Sequence, residues 1–263
     1  MQIIEWSQFL KEPLLLKGSP SAITVGVFDG VHRGHRLLID QVVTQKERAV
    51  PVVITFMHRH HKKSGSDGHS GDILSFRQKM AILESLGVSV AIVIEFSEVR
   101  HMKGLEFLRI LHEHSNMGFM AVGSNFRCGY HLDTDAPAIQ DFNARRNIPT
   151  CIVQPLKEGS QAISSRLIRA AISQGHLREA AAMLGRPVTV DLGDTAVSPA
   201  APGTAYDIAA QGRILPPPGS YTVMLLGKNT DRNAGKTAQV QVAGGSIVIG
   251  AEGADTWEYV EFC

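Results

Sequence analysis

The chain has 263 residues, of which 44% are hydrophobic, and its 26 basic side chains nearly balance 25 acidic ones. This length suits one large domain plus a small one, and the balanced charge gives no electrostatic argument for binding nucleic acid or an anionic membrane. The three cysteines are widely spaced, no basic leader precedes an apolar run, and no stretch approaches the ~20 apolar residues of a membrane span. We therefore expect a cytoplasmic protein with reduced thiols.

Strands and helices are predicted to alternate through the first two thirds of the chain. Apolar β-branched runs predict buried parallel strands, and amphipathic segments between them predict helices. The predicted strands are 23–28, 51–56, 90–94, 119–122 and 150–153. The predicted helices begin near His32 and after an N-cap at Ser75, and also cover about 105–112 and 137–146. The alternation predicts an α/β domain with a doubly wound parallel sheet, whose ligand binds beyond the carboxyl ends of the strands.

The pattern changes toward the end of the chain. One helix is predicted from Ser164 to Leu184, with Gly185 as its stop signal. Short alternating segments beyond it predict strands at 221–226, 237–242, 246–249 and 256–262. Strands at this spacing predict a small antiparallel β-barrel or sheet. We therefore expect two domains, residues 1–186 and residues 187–263.

The strongest motif is Gly26-Val-Phe-Asp-Gly-Val-His-Arg-Gly-His35, which overlaps the end of the first predicted strand. His32 and His35 are three residues apart at the start of a helix, so their side chains share one face. Gly30 and Gly34 allow a ligand to approach the backbone, and a helix N-terminus attracts phosphate. Glycines after a strand are common in α/β proteins, but two histidines in register with them are more specific. The motif therefore predicts a polyphosphate site.

A second motif is Ile163-Ser-Ser-Arg-Leu-Ile-Arg169. Ser164 or Ser165 can cap the helix and leave the other hydroxyl for a phosphate, and Arg169 one turn later offers a fork-shaped donor. Taken alone, the same residues also fit a capped helix with surface arginines.

Two further segments could contact a ligand. In Gly123-Ser-Asn-Phe-Arg-Cys-Gly129, Asn125 can both donate and accept hydrogen bonds and Phe126 could pack on a ring, although such a turn can also be purely structural. After the second strand, His58 could contact phosphate. The histidines of this segment could also hold a metal, but a glycine-rich stretch preorganises ligands poorly, so we assign no metal ligands.

The first motif resembles the signature of prokaryotic FAD synthetases, which belong to the His-x-Gly-His nucleotidyltransferase superfamily. Residues 163–169 resemble that family's Ile-Ser-Ser-x-x-Ile-Arg, and residues 123–129 are similar to its Gly-x-[Asp/Asn]-Phe-x-Phe-Gly loop. The resemblance covers about residues 20–190. It implies FMN adenylyltransferase activity, in which AMP passes from ATP to FMN to give FAD and pyrophosphate, with Mg²⁺ bridging the phosphates. The implied catalytic residues are His32, His35 and Arg169; the nucleotide-binding residues are Gly26, Phe28, Asp29, Gly30, Gly34, Ser164 and Ser165; the flavin-binding residues are Asn125, Phe126 and His58.

Other functions remain open at this point. Family members usually also carry a riboflavin kinase domain, so a bifunctional enzyme is one alternative. Another is an adenylyl- or cytidylyltransferase of the same superfamily with a different acceptor, and a third is a flavin- or nucleotide-binding module without strong activity. The partners in each case are small molecules, with no nucleic acid and no membrane.

The C-terminal segment is similar to a riboflavin kinase only in part. Leu215–Tyr221 resembles the family's Pro-x-Gly-Val-Tyr stretch, and Glu258–Phe262 resembles its last strand. The family's Gly-x-Pro-Thr-Ala-Asn segment has no counterpart, because residues 197–202 read Val-Ser-Pro-Ala-Ala-Pro, and its Glu-x-His-x-x-Asp-Phe context is missing. We therefore expect a kinase-like barrel that has lost kinase activity.

Overall fold

The computed structural model describes residues 1–12, 18–57, 71–193, 195–200, 203–227, 234–250 and 257–263. The chain divides into two compact units, of which the first comprises Met1–His60 and Lys79–Ala162 and the second His61–Gln78 and Ile163–Cys263. Among the described residues, no helix has the length and apolar character needed to cross a membrane.

The described helices are α1 (Trp6–Lys11), α2 (Arg33–Val43), α3 (Phe76–Ser85), α4 (Phe96–Val99), α5 (Gly104–Ser115), α6 (Ala136–Ala144), α7 (Ser165–Ser173) and α8 (Leu177–Leu184). The strands up to residue 162 are β1 (Gln2–Glu5), β2 (Ser21–Val25), β3 (Val50–Phe56), β4 (Val90–Ile94), β5 (Met117–Gly123), β6 (Arg127–Cys128), β7 (Thr134–Asp135), β8 (Thr150–Val153), β9 (Lys157–Glu158) and β10 (Gln161–Ala162). The later strands are β11 (Thr189–Asp191), β12 (Val197–Ala200), β13 (Gly203–Asp207), β14 (Gly219–Leu226), β15 (Lys236–Ala243), β16 (Ser246–Gly250) and β17 (Tyr259–Phe262).

The first unit contains a six-stranded sheet in the order β1-β4-β3-β2-β5-β8. All of its pairings are parallel. Every residue of β2 and of β4 is buried. The sequence of β4 is continuously apolar, whereas β2 also buries Ser21 and Thr24. The doubly wound parallel sheet predicted from the sequence is confirmed.

Two details of the first unit differ from the prediction. The strand predicted over 23–28 ends at Val25, and Phe28 adopts a φ of 51°, which lies outside the β region. The edge strand β1 and the helix α1 were not predicted. Only Ile4 is buried in β1, so its sequence carries neither an alternating nor a continuous apolar pattern.

The second unit contains a seven-stranded antiparallel sheet in the order β11-β17-β14-β15-β16-β13-β12. The predicted antiparallel β domain is confirmed, and the strands predicted at 221–226, 237–242 and 246–249 correspond to β14, β15 and β16. Strands β11, β12 and β13 were missed, since they are short and only Val190 and Asp191 among them are buried. The last strand begins at Tyr259, and residue 256, where it was predicted to begin, lies outside the described residues.

The helix predicted from Ser164 to Leu184 is wrong in one respect, because two helices cover this stretch. Helix α7 ends at Ser173, and Gly175 adopts a φ of 80° before α8 begins at Leu177. A positive φ is compatible with glycine but not with a continuing right-handed helix. The stop at Gly185 is confirmed, since this residue forms the left-handed C-cap of α8.

Candidate active site

The turn between β2 and α2 has an unusual backbone. Phe28 and Val31 adopt positive φ values of 51° and 36°, and Gly30 has a φ of 83°. Positive φ costs a β-branched residue such as Val31 more than most, so packing must hold it in place. Both side chains are fully buried. Gly26 permits this arrangement, because a Cβ there would lie 3.0 Å from Cζ of the Phe28 ring.

The two histidines of the motif meet at the start of α2. His32 is the N-cap, and its Nδ1 accepts a hydrogen bond of 3.2 Å from the backbone N–H of His35. The rings stack with their centroids 3.6 Å apart and their planes 17° from parallel. The Phe28 ring packs edge-on against His35 at 5.2 Å. Since Nδ1 of His32 accepts, the hydrogen of its neutral ring resides on Nε2.

The remaining residues of the motif are close to the same helix terminus. Asp29 is buried, with 6% of its surface exposed, and Gly34 lies in the first turn of α2. Arg33, which the sequence did not single out, forms an ion pair with Glu158 on β9. The predicted polar turn at the carboxyl end of β2 is therefore present in the first unit.

A buried lysine also lies at this sheet edge, and no sequence pattern indicated it. Lys79 has 6% of its surface exposed. Its Nζ lies 2.5 Å from the carbonyl oxygen of Phe56, 3.3 Å from Oγ1 of Thr55 and 3.4 Å from the carbonyl oxygen of Val27. A single lysine in an amphipathic segment is normally a surface residue, so only the fold reveals its burial.

The Ser-Ser-x-x-x-Arg motif lies in the second unit. Ser164 is the N-cap of α7, and its hydroxyl accepts a hydrogen bond of 3.3 Å from the backbone N–H of Leu167. Ser165 is the first residue of the helix. Arg169 is 4% exposed, whereas Arg166 is exposed. The alternative of surface arginines is therefore wrong for Arg169.

The loop after β5 begins with a tight turn. The backbone N–H of Phe126 donates to the carbonyl of Gly123 at 2.9 Å, and Asn125 is exposed. Phe126 is half-buried and packs against the apolar core of the first unit. Burial raises the pKa of the Cys128 thiol to about 12, so this thiol is protonated at neutral pH.

The prediction for His58 lies outside the described residues, and so does the alternative of a metal site at His58, His60, His61 and His69. Within the described ranges, no group of three or more His, Cys, Asp or Glu side chains is arranged to hold a metal ion.

Comparisons with known proteins agree on one family. A family model described as FAD synthetase matches residues 16–167. A bifunctional riboflavin kinase/FMN adenylyltransferase of Escherichia coli (strain K12) is 28% identical over 217 residues, which cover 78% of this chain and 68% of that protein. An FAD synthetase of Listeria monocytogenes is 29% identical over 170 residues, covering 64% of this chain and 69% of that protein.

Solved structures are also similar to this chain. A Streptococcus pneumoniae protein whose structure is titled a macrolide-efflux protein superposes with a TM-score of 0.78. The superposition covers 100% of this chain and 90% of that one, at 20% sequence identity. At this identity the likeness concerns the fold alone.

Proposed function

The chain belongs to the FAD synthetase family of FMN adenylyltransferases, and from this premise we propose how its residues catalyse the reaction. A phosphate oxygen of FMN attacks the α-phosphorus of ATP, the bond to the β-phosphate oxygen breaks, and pyrophosphate leaves as FAD forms. Mg²⁺ enters with ATP as the substrate complex and neutralises phosphate charge. The protein's task is to position the substrates and to stabilise charge that develops on the phosphates.

The stacked pair of His32 and His35 carries this proposal. Because Nδ1 of His32 accepts the capping hydrogen bond, its Nε2–H is the donor that we assign to an ATP phosphate. A helix N-terminus contributes at most about 2 kcal/mol to anion binding, whereas micromolar affinity needs about 8 kcal/mol. Charge-assisted hydrogen bonds of roughly 1.5–3 kcal/mol each must supply much of the difference. We assign catalytic roles to both histidines on these grounds.

We assign Arg169 a catalytic role as well, and we assign nucleotide contacts to Ser164, Ser165 and the turn residues Gly26, Phe28, Asp29, Gly30 and Gly34. Arg169 suits this role because its guanidinium offers a planar fork for phosphate oxygens and is held in a buried position on α7. Asp29 and the glycines contribute by shaping the turn rather than by supplying positive charge.

We assign the flavin site to Asn125, Phe126 and His58. Asn125 is exposed on the loop after β5 and can pair with the donors and acceptors of the isoalloxazine ring. Phe126 supports the loop from the core side. The role of His58 rests on the family resemblance of its segment.

We propose that residues 1–186 form the nucleotidyltransferase domain and that residues 187–263 form a kinase-like domain without kinase activity. We also propose a cytoplasmic location, because ATP and FMN are cytoplasmic metabolites, and small molecules as the partners of the enzyme.

Incubation of the purified chain with FMN, ATP and Mg²⁺, followed by chromatography of the flavins, tests the main proposal. We expect FAD and one equivalent of pyrophosphate. An FMN-free reaction and a reaction with EDTA serve as controls. Unchanged FMN under conditions where the protein is folded and binds ATP would overturn it.

A further inference from the structure

The ammonium group of Lys79 is buried at the carboxyl ends of β2 and β3. Burying a charge is unfavourable unless polar partners replace its hydration. Here the partners include the carbonyl oxygens of Val27 and Phe56 and the hydroxyl of Thr55, at 2.5–3.4 Å. An ammonium group only donates hydrogen bonds, and all three of these atoms can accept them. The cation is therefore held at a fixed place on the ligand-binding edge of the sheet.

The carbonyl of Val27 receives two donors. Besides Nζ of Lys79, Oγ1 of Thr55 donates to it at 3.0 Å. The same hydroxyl accepts from Lys79, so the three groups form a closed hydrogen-bonded set. Because the peptide bond is planar, a fixed carbonyl of Val27 also fixes the N–H of Phe28. The strained turn thus begins from a peptide plane that two donors on other elements restrain.

The restrained plane leads directly into the two residues with unfavourable φ. Phe28 and Val31 have φ values of 51° and 36°, and His32 follows Val31 as the N-cap of α2. The Phe28 ring contacts His35. Such strain persists only where the surrounding structure over-determines the backbone. Relaxation of Phe28 would therefore move the ring that supports His35.

We propose that Lys79 is a positioning residue for adenylyl transfer, which holds the Val27 carbonyl and thereby the strained turn that presents His32 and His35 to the phosphates of ATP. This inference rests on the function proposed for the turn. Lys79 acts through the backbone and through Thr55. A purely structural lysine that only joins β2 to β3 would contribute to stability alone. Its replacement would then lower stability without a selective loss of kcat/KM for ATP relative to KM for FMN.

The test compares Lys79→Met, which keeps the length of the side chain without its charge, with Lys46→Met in the turn after α2, where the lysine is exposed. Assays are run at least 10 °C below the melting temperature of each variant. For Lys79→Met we expect kcat/KM for ATP to fall at least tenfold while KM for FMN stays within twofold. Lys46→Met should match the wild type in kcat/KM for ATP and in KM for FMN. An ATP kcat/KM of Lys79→Met within twofold of the wild type would overturn the proposal.

A second readout does not depend on the reaction. The backbone amide signals of Phe28–His35 in a ¹⁵N NMR spectrum should shift in Lys79→Met and remain in place in Lys46→Met, and ATP affinity by calorimetry should fall about tenfold. These measurements separate a failure of the Lys79 role from a failure of the adenylyl-transfer proposal, because they stand even if no FAD is made. Unchanged turn signals and ATP affinity in a folded Lys79→Met variant would contradict the positioning role.

Thr55→Val keeps the shape of its residue and removes one of the two donors to Val27. We expect a fall of about threefold in kcat/KM for ATP, again with KM for FMN unchanged. If Lys79→Met does not fold, this milder variant decides the question, and ATP kinetics equal to the wild type would refute the proposal. If Lys79→Met and Thr55→Val both fold, the variant that carries both substitutions provides a further test. Its fold-loss in kcat/KM for ATP should be smaller than the product of the two single fold-losses, since both residues hold the Val27 carbonyl.

Discussion

The rings of His32 and His35 stack at 3.6 Å because the Nδ1 of His32 caps the helix on which His35 stands. One hydrogen bond therefore fixes the orientation of the first ring, and the stack fixes the second against it. The edge of Phe28 supports the pair from another side. The two imidazoles consequently form a single preorganised unit, which is the arrangement that charge stabilisation in phosphoryl chemistry requires.

Replacing either histidine by alanine should lower FAD formation at least tenfold, since loss of one preorganised donor costs about 3 kcal/mol of transition-state stabilisation. His32→Asn adds a sharper comparison. Asparagine is a good N-cap, so this variant should keep its melting temperature near that of the wild type while its turnover falls. His112→Ala on α5 is the control. Wild-type rates in both alanine variants would remove these residues from the mechanism.

Arg169→Lys should reduce kcat/KM for ATP by about tenfold or more, although it preserves the positive charge. A lysine offers a point charge in place of the planar fork that engages two phosphate oxygens. Arg166→Lys, at an exposed position on the same helix, is the matched control. Steady-state kinetics with ATP as the varied substrate measure the effect. Equal losses in the two variants would mean that helix α7 is sensitive in general and that Arg169 has no special role.

Asn125→Ala should weaken FMN binding severalfold without unfolding the first unit, because its side chain is exposed on the loop after β5. Loss of a neutral hydrogen bond to a ligand costs about 1 kcal/mol. Fluorescence titration with FMN measures the affinity, and Gln140→Ala on the exposed surface of α6 controls for nonspecific effects. Normal binding of both FMN and ATP by Asn125→Ala would make the loop structural.

The second unit should become less stable in acid through Asp191. Burial alone would raise the pKa of this carboxyl, but hydrogen bonds from Arg77, Ser75 and the N–H of Gly193 together lower it below its ordinary value. A depressed pKa in the folded state means that the stabilisation is present above the unfolded-state pKa of about 3.9 and is lost as the pH falls through the folded-state value.

Arg77→Ala tests this pairing. It leaves a buried carboxylate with fewer donors, so the unfolding free energy of the second unit should fall by about 2 kcal/mol at pH 7. Amide hydrogen exchange of β11 and β17 reports on that unit, and Arg178→Ala on α8 is the control. The acid-dependent part of the protection should shrink in Asp191→Asn. Identical protection in Arg77→Ala and the wild type would show that the pair contributes nothing.

The purified chain should not convert riboflavin to FMN with MgATP. The resemblance to riboflavin kinases implies that the threonine and asparagine of the Gly-x-Pro-Thr-Ala-Asn segment bind the metal and the nucleotide phosphates, and that the glutamate of the Glu-x-His-x-x-Asp-Phe context is catalytic. Residues 197–202 contain neither threonine nor asparagine, and the sequence shows no Glu-x-His-x-x-Asp-Phe context. Phosphoryl transfer would then lack a metal ligand and a general base, both of which it requires. Chromatography after incubation with riboflavin detects the product, and FMN in place of riboflavin is the positive control for the adenylyltransferase. Formation of FMN would overturn this expectation.

The sequence alone determined those strands, helices and motifs that can be recognised from a few neighbouring residues. The alternation of apolar strands with helices, the spacing of His32 and His35, and a serine cap at position 164 or 165 each depend on a few neighbouring residues, so the parallel sheet and the two motifs followed from the sequence. The structure decided that Ser164 is the cap. The break at Gly175 was missed because a single glycine does not always end a helix. The edge strand β1 was missed because its partner β4 lies far along the chain and its own residues are mostly exposed.

Only the tertiary structure decided what surrounds these motifs. The positive φ of Phe28 and Val31 arises where buried packing outweighs backbone preference, and no local pattern predicts it. The burial of Lys79 and Arg169 likewise depends on residues distant in sequence, since long charged side chains are ordinarily placed in solvent. Sequence by itself therefore indicated which groups we assign to phosphate, whereas the packing of the fold decided which of them are buried and held by neighbouring residues, because those contacts form only in the folded chain.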